Sequence, residues 1–220
     1  MSPDSHRNPI LLGLYQQYLT DHDSDGFRRK TAQCYSQGTL HRLAGHDGRL
    51  VRRAAVLALG FLGDYEANPT LGRALQDEDR TVRVLAENAI RNVWTRVGIE
   101  ERQQELRVIL RLNLARHFQE AVRRATELLD AVPWFAEAWN QRAIAHFSLE
   151  HYDEAIQDCH QALEINPYHF AAAAGMGQAY LQVGDHAAAL ESFRRALRLN
   201  PDLEAVRVQI ARLSRLLEGR

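Results

Sequence analysis

Three prolines, Pro133, Pro167 and Pro201, stand 34 residues apart, and this spacing constrains the fold more than any other feature of the chain. Ala121, Ala155 and Ala189 keep the same interval, as do Leu129, Leu163 and Leu197. One period expressed in three registers defines a stacked unit rather than a single globule. Proline cannot continue a helix and pushes the preceding residue into extended backbone, so each proline marks a helix end. Asn166 and Asn200 fill the place before two of them. Small residues such as Ala143, Ala155, Gly177 and Ala189 let the two antiparallel helices of a unit approach closely.

The block from Ala136 to Phe147, followed by Tyr152-Asp-Glu-Ala-Ile and Ala162-Leu-Glu-Ile-Asn-Pro167, resembles a tetratricopeptide (TPR) repeat. Trp139, Ala143, Ala155, Ala162 and Pro167 stand at its signature positions, and Gly177, Tyr180, Ala189, Phe193, Ala196 and Pro201 do so in the next unit. The preceding unit, 101–134, keeps Leu112, Ala121, Leu128 and Pro133 but lacks the early Trp and Gly. Beyond the last proline, Val206, Ile210, Leu213 and Leu217 follow helical spacing, which suits a helix that caps an open stack.

The first half has a different period. Val51, Arg52, Ala55 and Ala58 match Val82, Arg83, Ala86 and Ala89 at a shift of 31, in a pattern that resembles a short HEAT-like repeat. Asn68-Pro69 predicts a short helix with Asn68 as its N-cap. Asn8-Pro9 predicts a helix to about Thr20, and a further helix is expected from Phe27 to Ala44. No run alternates long enough to form a strand. The expected fold is all-α, a right-handed α-solenoid of stacked antiparallel helix pairs, HEAT-like and then TPR. Its divisions are 1–98, HEAT-like repeats with an N-terminal cap; 99–202, three TPR repeats; and 203–220, a capping helix. The join near Gly98 is too short for a flexible linker, so one continuous superhelix is expected.

Composition narrows the function classes. A formal charge of -1 and a 45% hydrophobic content argue for a packed chain and against a generally basic nucleic-acid binder. The 27 basic residues comprise Lys30 and 26 arginines, a bias that GC-rich codon usage explains. Arg52 and Arg83 recur with the HEAT period, and could grip phosphates with Arg49, Arg53 and Arg80. Their register with core positions favours pairing with acidic residues of a neighbouring repeat, such as Asp47 or Asp79. Nucleic acid is therefore the alternative reading, alongside an assembly helper related to HEAT-like lyases. Met1 to Pro9 is polar, which speaks against a signal peptide, and no run has the ~18 apolar residues a membrane helix needs. Cys34 and Cys159 form no CxxC pair, so a reducing compartment, the cytoplasm, is expected.

Asp21-His-Asp-Ser-Asp-Gly26 opens like a calcium loop, but its twelfth position is Ala32 where a bidentate Glu is needed. An acidic turn that N-caps the following helix is the better reading. None of the ten histidines falls in a recognised ligand pattern, and no nucleophile–base pair or phosphate loop is visible. No enzyme activity, metal or cofactor is expected.

The TPR resemblance implies a concave surface lined by the first helix of each unit. The lining positions it implies are Leu106, Arg107, Leu110, Asn113, Glu137, Asn140, Gln141, Ile144, Phe147, Ala171, Ala174, Gln178 and Leu181, with Val208, Gln209 and Arg212 added by the cap. Amides such as Asn140 and Gln141 would pair with a peptide backbone, and Leu110, Ile144 and Phe147 would be apolar anchors. Family members that hold acidic chaperone tails use a cationic two-carboxylate clamp. The matching positions here are Leu106, Leu110, Gln141, Ala171 and Gly175, none of them cationic. The expected function is a non-catalytic protein-interaction scaffold or adaptor. Its partner is a neutral peptide, a partner helix or a second copy of the chain.

Overall fold

A computed structural model describes residues 9–219, which hold thirteen α-helices and no strand. They form two compact units, 1–93 and 94–220. Asn8, expected to open the first helix, lies outside the described residues.

The first unit contains α1 (Ile10–Asp21), α2 (Ser24–Cys34), α3 (Gln37–Leu43), α4 (Arg49–Leu62), α5 (Asn68–Ala74) and α6 (Arg80–Trp94), whose last residue belongs to the second unit. The single helix expected over 27–44 is two. Tyr35 is extended, and the Ser36 hydroxyl accepts the Thr39 N–H, so a new helix starts there. Asn68 is not an N-cap, because a 3-10 turn at Tyr65–Ala67 runs directly into α5. Asp23 accepts the Gly26 N–H at 2.9 Å, and Asp21 accepts that of Asp23, so this acidic turn caps α2. Lys30 Nζ donates to Gln17 Oε1 at 3.0 Å, tying α2 to α1.

The repeated arginines explain how this unit is held. Arg52 is buried and forks onto Asp77 at 2.7 and 2.9 Å, reaches Glu78 at 3.1 Å, and donates to the carbonyls of His46 and Asp47. Arg83, one period later, donates to the carbonyls of Asp77 and Glu78, the same offsets of six and five residues. Each arginine thus closes the loop that precedes its own helix. Arg53 forks onto Asp79 at 2.9 and 2.6 Å. The Arg53 guanidinium, aided by the Val82 N–H, holds the Asp79 carboxyl down at about 2. An unfolded Asp titrates near ~3.9, so this stabilisation is complete above that pH and is lost as pH falls toward about 2. Chemical denaturation between pH 5 and 2 should show the unit weakening over that interval, and Asp79→Asn should flatten the slope.

The second unit contains α7 (Glu100–Leu114), α8 (Phe118–Ala131), α9 (Ala136–Ser148), α10 (Tyr152–Ile165), α11 (Phe170–Gln182), α12 (His186–Leu199) and α13 (Glu204–Glu218). Amphipathic spacing builds it: α8 buries Ala121, Ala125, Leu128 and Leu129, and α13 buries Val206 and Leu213, with Ile210 and Leu217 packed beside them. The residue before each proline leaves the helical region, at φ -139° (Val132), -127° (Asn166) and -135° (Asn200), and the two asparagines are extended. Asn recurs there because its side chain accepts the N–H two residues on, from Tyr168 and from Asp202 at 3.1 Å.

Inside each pair the turn is the same. Arg116, Glu150 and Gly184, 34 residues apart, have φ of 61°, 64° and 81°. The next N–H returns to the helix at 2.9–3.0 Å: His117 to Leu112, His151 to His146, Asp185 to Tyr180. This is the Schellman closure, and only glycine occupies its left-handed position without cost. Glu150→Gly should therefore raise stability by about 1 kcal/mol, read as a higher urea midpoint.

Candidate functional site

Between α9, α10 and α11 of the second unit lies a cavity of about 190 Å³ lined almost entirely by apolar atoms. Its origin lies in one exchange between successive repeats. In the α11–α12 pair, Phe193 fills the space against Gly177, where an added Cβ would sit 2.7 Å from the ring. The equivalent residues of the α9–α10 pair are Cys159 and Ala143, and that smaller combination leaves room. Ala171 and Gly175 on α11 extend the opening. Burial pushes the Cys159 thiol up to about 12, so it is a neutral apolar wall rather than a nucleophile.

Five of the expected lining residues meet at this cavity: Asn140, Ile144, Phe147, Ala171 and Gln178. Ile144 is 42% exposed. Phe147 leans edge-on against Tyr152. The Gln178 amide makes no hydrogen bond among the described residues, and Asn140 reaches Glu137 only at 3.4 Å, so both can engage a ligand. The Ser148 hydroxyl donates to the Ile144 carbonyl at 2.9 Å and is not available to a ligand.

The other expected residues do different work. Leu106 is fully buried in the core and cannot touch a partner. Leu110 is half-buried against the same core. Arg107 is drawn to Glu100 at 2.5 Å. Ala174 packs on the neighbouring core cluster rather than on the cavity. Gln141, expected to bind a peptide backbone, is saturated internally: its Nε2 donates to Glu137 at 2.7 Å and its Oε1 accepts from Asn113 at 2.9 Å.

Glu137, expected to line the groove, is instead buried at the centre of an internal network that no spacing in the sequence revealed. It also accepts from His169 Nε2 at 2.8 Å. His169 Nδ1 accepts the Ala172 N–H at 3.1 Å and so caps α11, which assigns the ring proton to Nε2. Trp94 of the same unit stacks on the His169 ring at 3.9 Å. The network fixes α7, α9 and the start of α11 against one another beneath the groove. On the outer side Arg142 forks onto Asp158 at 2.8 and 2.7 Å and lies over Trp139 at 4.7 Å.

Two of the first unit's arginines are already committed to carboxylates. Arg52 and Arg53 are occupied by Asp77, Glu78 and Asp79, and phosphate contact would require breaking those pairs. Among the described residues no helix is long and apolar enough to cross a membrane.

Helix pairs stacked at two periods define a helical-repeat protein. The family model for HEAT repeats matches 16–91 and 36–111, and that for the tetratricopeptide repeat matches 136–169 and 171–203. The chain therefore carries HEAT repeats followed by tetratricopeptide repeats. Among solved structures it is similar to the first TPR of Spaghetti (RPAP3) bound to the HSP90 peptide SRMEEVD, with 22% identity over 56% of this chain and 97% of that one and a TM-score of 0.53. It is also similar to the Sgt2 TPR domain from Aspergillus fumigatus, with 17% identity over 55% of this chain and 82% of that one and a TM-score of 0.52. No curated protein matches the chain at significant sequence similarity.

Proposed function

We propose that the chain is a non-catalytic interaction adaptor that binds a peptide segment of a partner protein in the groove of its TPR unit. The observation that carries this reading is the apolar cavity beside Ile144 and Phe147, with the Asn140 and Gln178 amides at its wall. A preformed site of this kind lowers the ordering cost of binding. The helix pair α7–α8 is read as the first of three TPR units, supported by the turn it shares with the two matched repeats. The Spaghetti TPR was solved with an acidic HSP90 peptide. Here Leu106, Leu110, Gln141, Ala171 and Gly175 stand where the clamp residues of acid-binding family members would be, and none is cationic, so the groove floor calls for a neutral, apolar group.

Two substitutions with opposite chemistry test the site. Ile144→Glu places a charge at the rim of the cavity, while Gly175→Leu fills it. The latter is sterically mild, because a Cβ at Gly175 would meet Cys159 Sγ at an ordinary 3.5 Å. Partners captured from the native cell by the wild-type chain should fall about 10-fold or more with both variants, while circular dichroism stays unchanged. Equal recovery would move binding off this groove.

A further inference from the structure

We propose that the peptide taken by this groove carries acidic side chains about four residues from its apolar anchor, with the anchor in the cavity and the acids on Arg212 and Arg215 of α13. The proposal rests on the groove reading above and adds the chemistry of the partner. Successive first helices present equivalent positions every 34 residues. Leu110, Ile144, Gln178 and Arg212 make one row, and Asn113, Phe147, Leu181 and Arg215 make the next. Both rows end in a cation on α13.

That helix packs through Val206, Ile210, Leu213 and Leu217 and leaves Val208, Arg212 and Arg215 exposed. Among the described residues neither arginine forms an ion pair, and Arg215 Nε donates only to the Ala211 carbonyl of its own helix. Elsewhere in the unit Arg107, Arg123, Arg124, Arg142 and Arg198 engage carboxylates, as does Arg207 on α13 itself. Among the described residues Arg102, Arg111, Arg116, Arg194 and Arg195 form no ion pair, but they stand off these two rows. Two arginines without counter-charge, about one turn apart on the groove rows, suit a pair of carboxylates, since each guanidinium can fork onto one. The cavity lining carries no charged residue, so the apolar group and the acids are sorted to different places.

Helix axes pack about 8–10 Å apart. The cavity lies between α9 and α11, and α13 is one first-helix step further, roughly 12–15 Å from its centre. An extended chain rises about 3.3 Å per residue, which sets the separation at about four residues.

The test uses the full chain and fluorescein-labelled, amidated peptides of sequence Gly-Ser-Leu-Ser-Gly-Ser-Glu-Glu-Ser-Gly, made in both chain directions and read by fluorescence anisotropy. Companion peptides replace Glu-Glu by Gln-Gln or Lys-Lys, replace Leu by Ser, or carry Gln-Gln with a free terminal carboxylate. The Glu peptide should bind about 10-fold more tightly than the Gln peptide at low salt. Arg212→Glu with Arg215→Glu, both exposed, should reverse the preference toward Lys without changing the thermal midpoint. Leu replaced by Ser should lose binding in either background. Equal binding of Glu and Gln peptides overturns the proposal but leaves the groove reading intact, as does a Glu preference that survives the double reversal. A free-carboxylate Gln peptide that matches the Glu peptide also overturns it, because the acid would then be a chain end. If no Leu peptide binds, or Ile144→Glu changes nothing, the groove reading itself fails.

Discussion

Arg52→Ala is expected to lower the stability of the first unit by about 3–5 kcal/mol, the usual cost of removing one partner from a buried ion pair. The side chain serves three groups at once. Asp77 would lose both of its guanidinium bonds, Glu78 its single contact, and the carbonyls of His46 and Asp47 their donor. Arg52→Lys should recover only part of this, because an ammonium cannot span a carboxylate and two carbonyls in one plane. Hydrogen exchange resolved by segment would show the effect over α4 to α6. The comparison is Arg28→Ala, whose pair with Asp25 is exposed and 4.0 Å long, and which should cost under about 0.5 kcal/mol. Similar small shifts for both would show that the first unit does not depend on its buried arginine.

Glu137→Ala should destabilise the second unit by a similar ~3–5 kcal/mol, for a different reason. The lost carboxylate leaves the donors of Gln141 and His169 without acceptors in a site that water does not reach. Asn140 loses its weaker contact as well. Glu137→Gln is nearly isosteric and keeps one acceptor, so it should cost less. The Ala172 amide, capped by His169, is the local reporter: its exchange should accelerate in Glu137→Ala more than that of amides in α12. Uniform acceleration across both helices would mean that the network does not position α11.

The periods made the helix pairs legible before any coordinates. Pro133, Pro167 and Pro201 mark helix ends because a missing N–H acts locally, and the small residues at 143, 155, 177 and 189 mark close approach for the same reason. The groove was harder to read. Leu106 and Gln141 stand at lining positions by period, yet one is interior and the other is bonded to Asn113 and Glu137. Those pairings join residues on different helices and depend on side-chain reach, which no spacing encodes. His169 shows this most clearly. Its position before a helix suggests a turn residue, and only the fold brings it 2.8 Å from a carboxylate 32 residues earlier. The cavity came from comparing repeats rather than from any motif, since it exists where Cys159 replaces the bulk that Phe193 supplies one period later. In the first half, Ser36 divides the segment expected to be one helix, because its hydroxyl caps a new helix at Gln37.

The tie between Lys30 and Gln17 has a consequence for how the chain can be modified. Across these 220 residues Lys30 offers the one ε-amine, and its nitrogen is held on α1 of the first unit. Acylation, methylation or ubiquitin conjugation at lysine therefore has a single address in this sequence, remote in the chain from the TPR groove. Guanidinium groups carry the other cationic side-chain positions, and they do not take acylation or ubiquitin conjugation. Among side chains, an amine-directed label would report on the α1–α2 hairpin and leave the binding surface chemically silent.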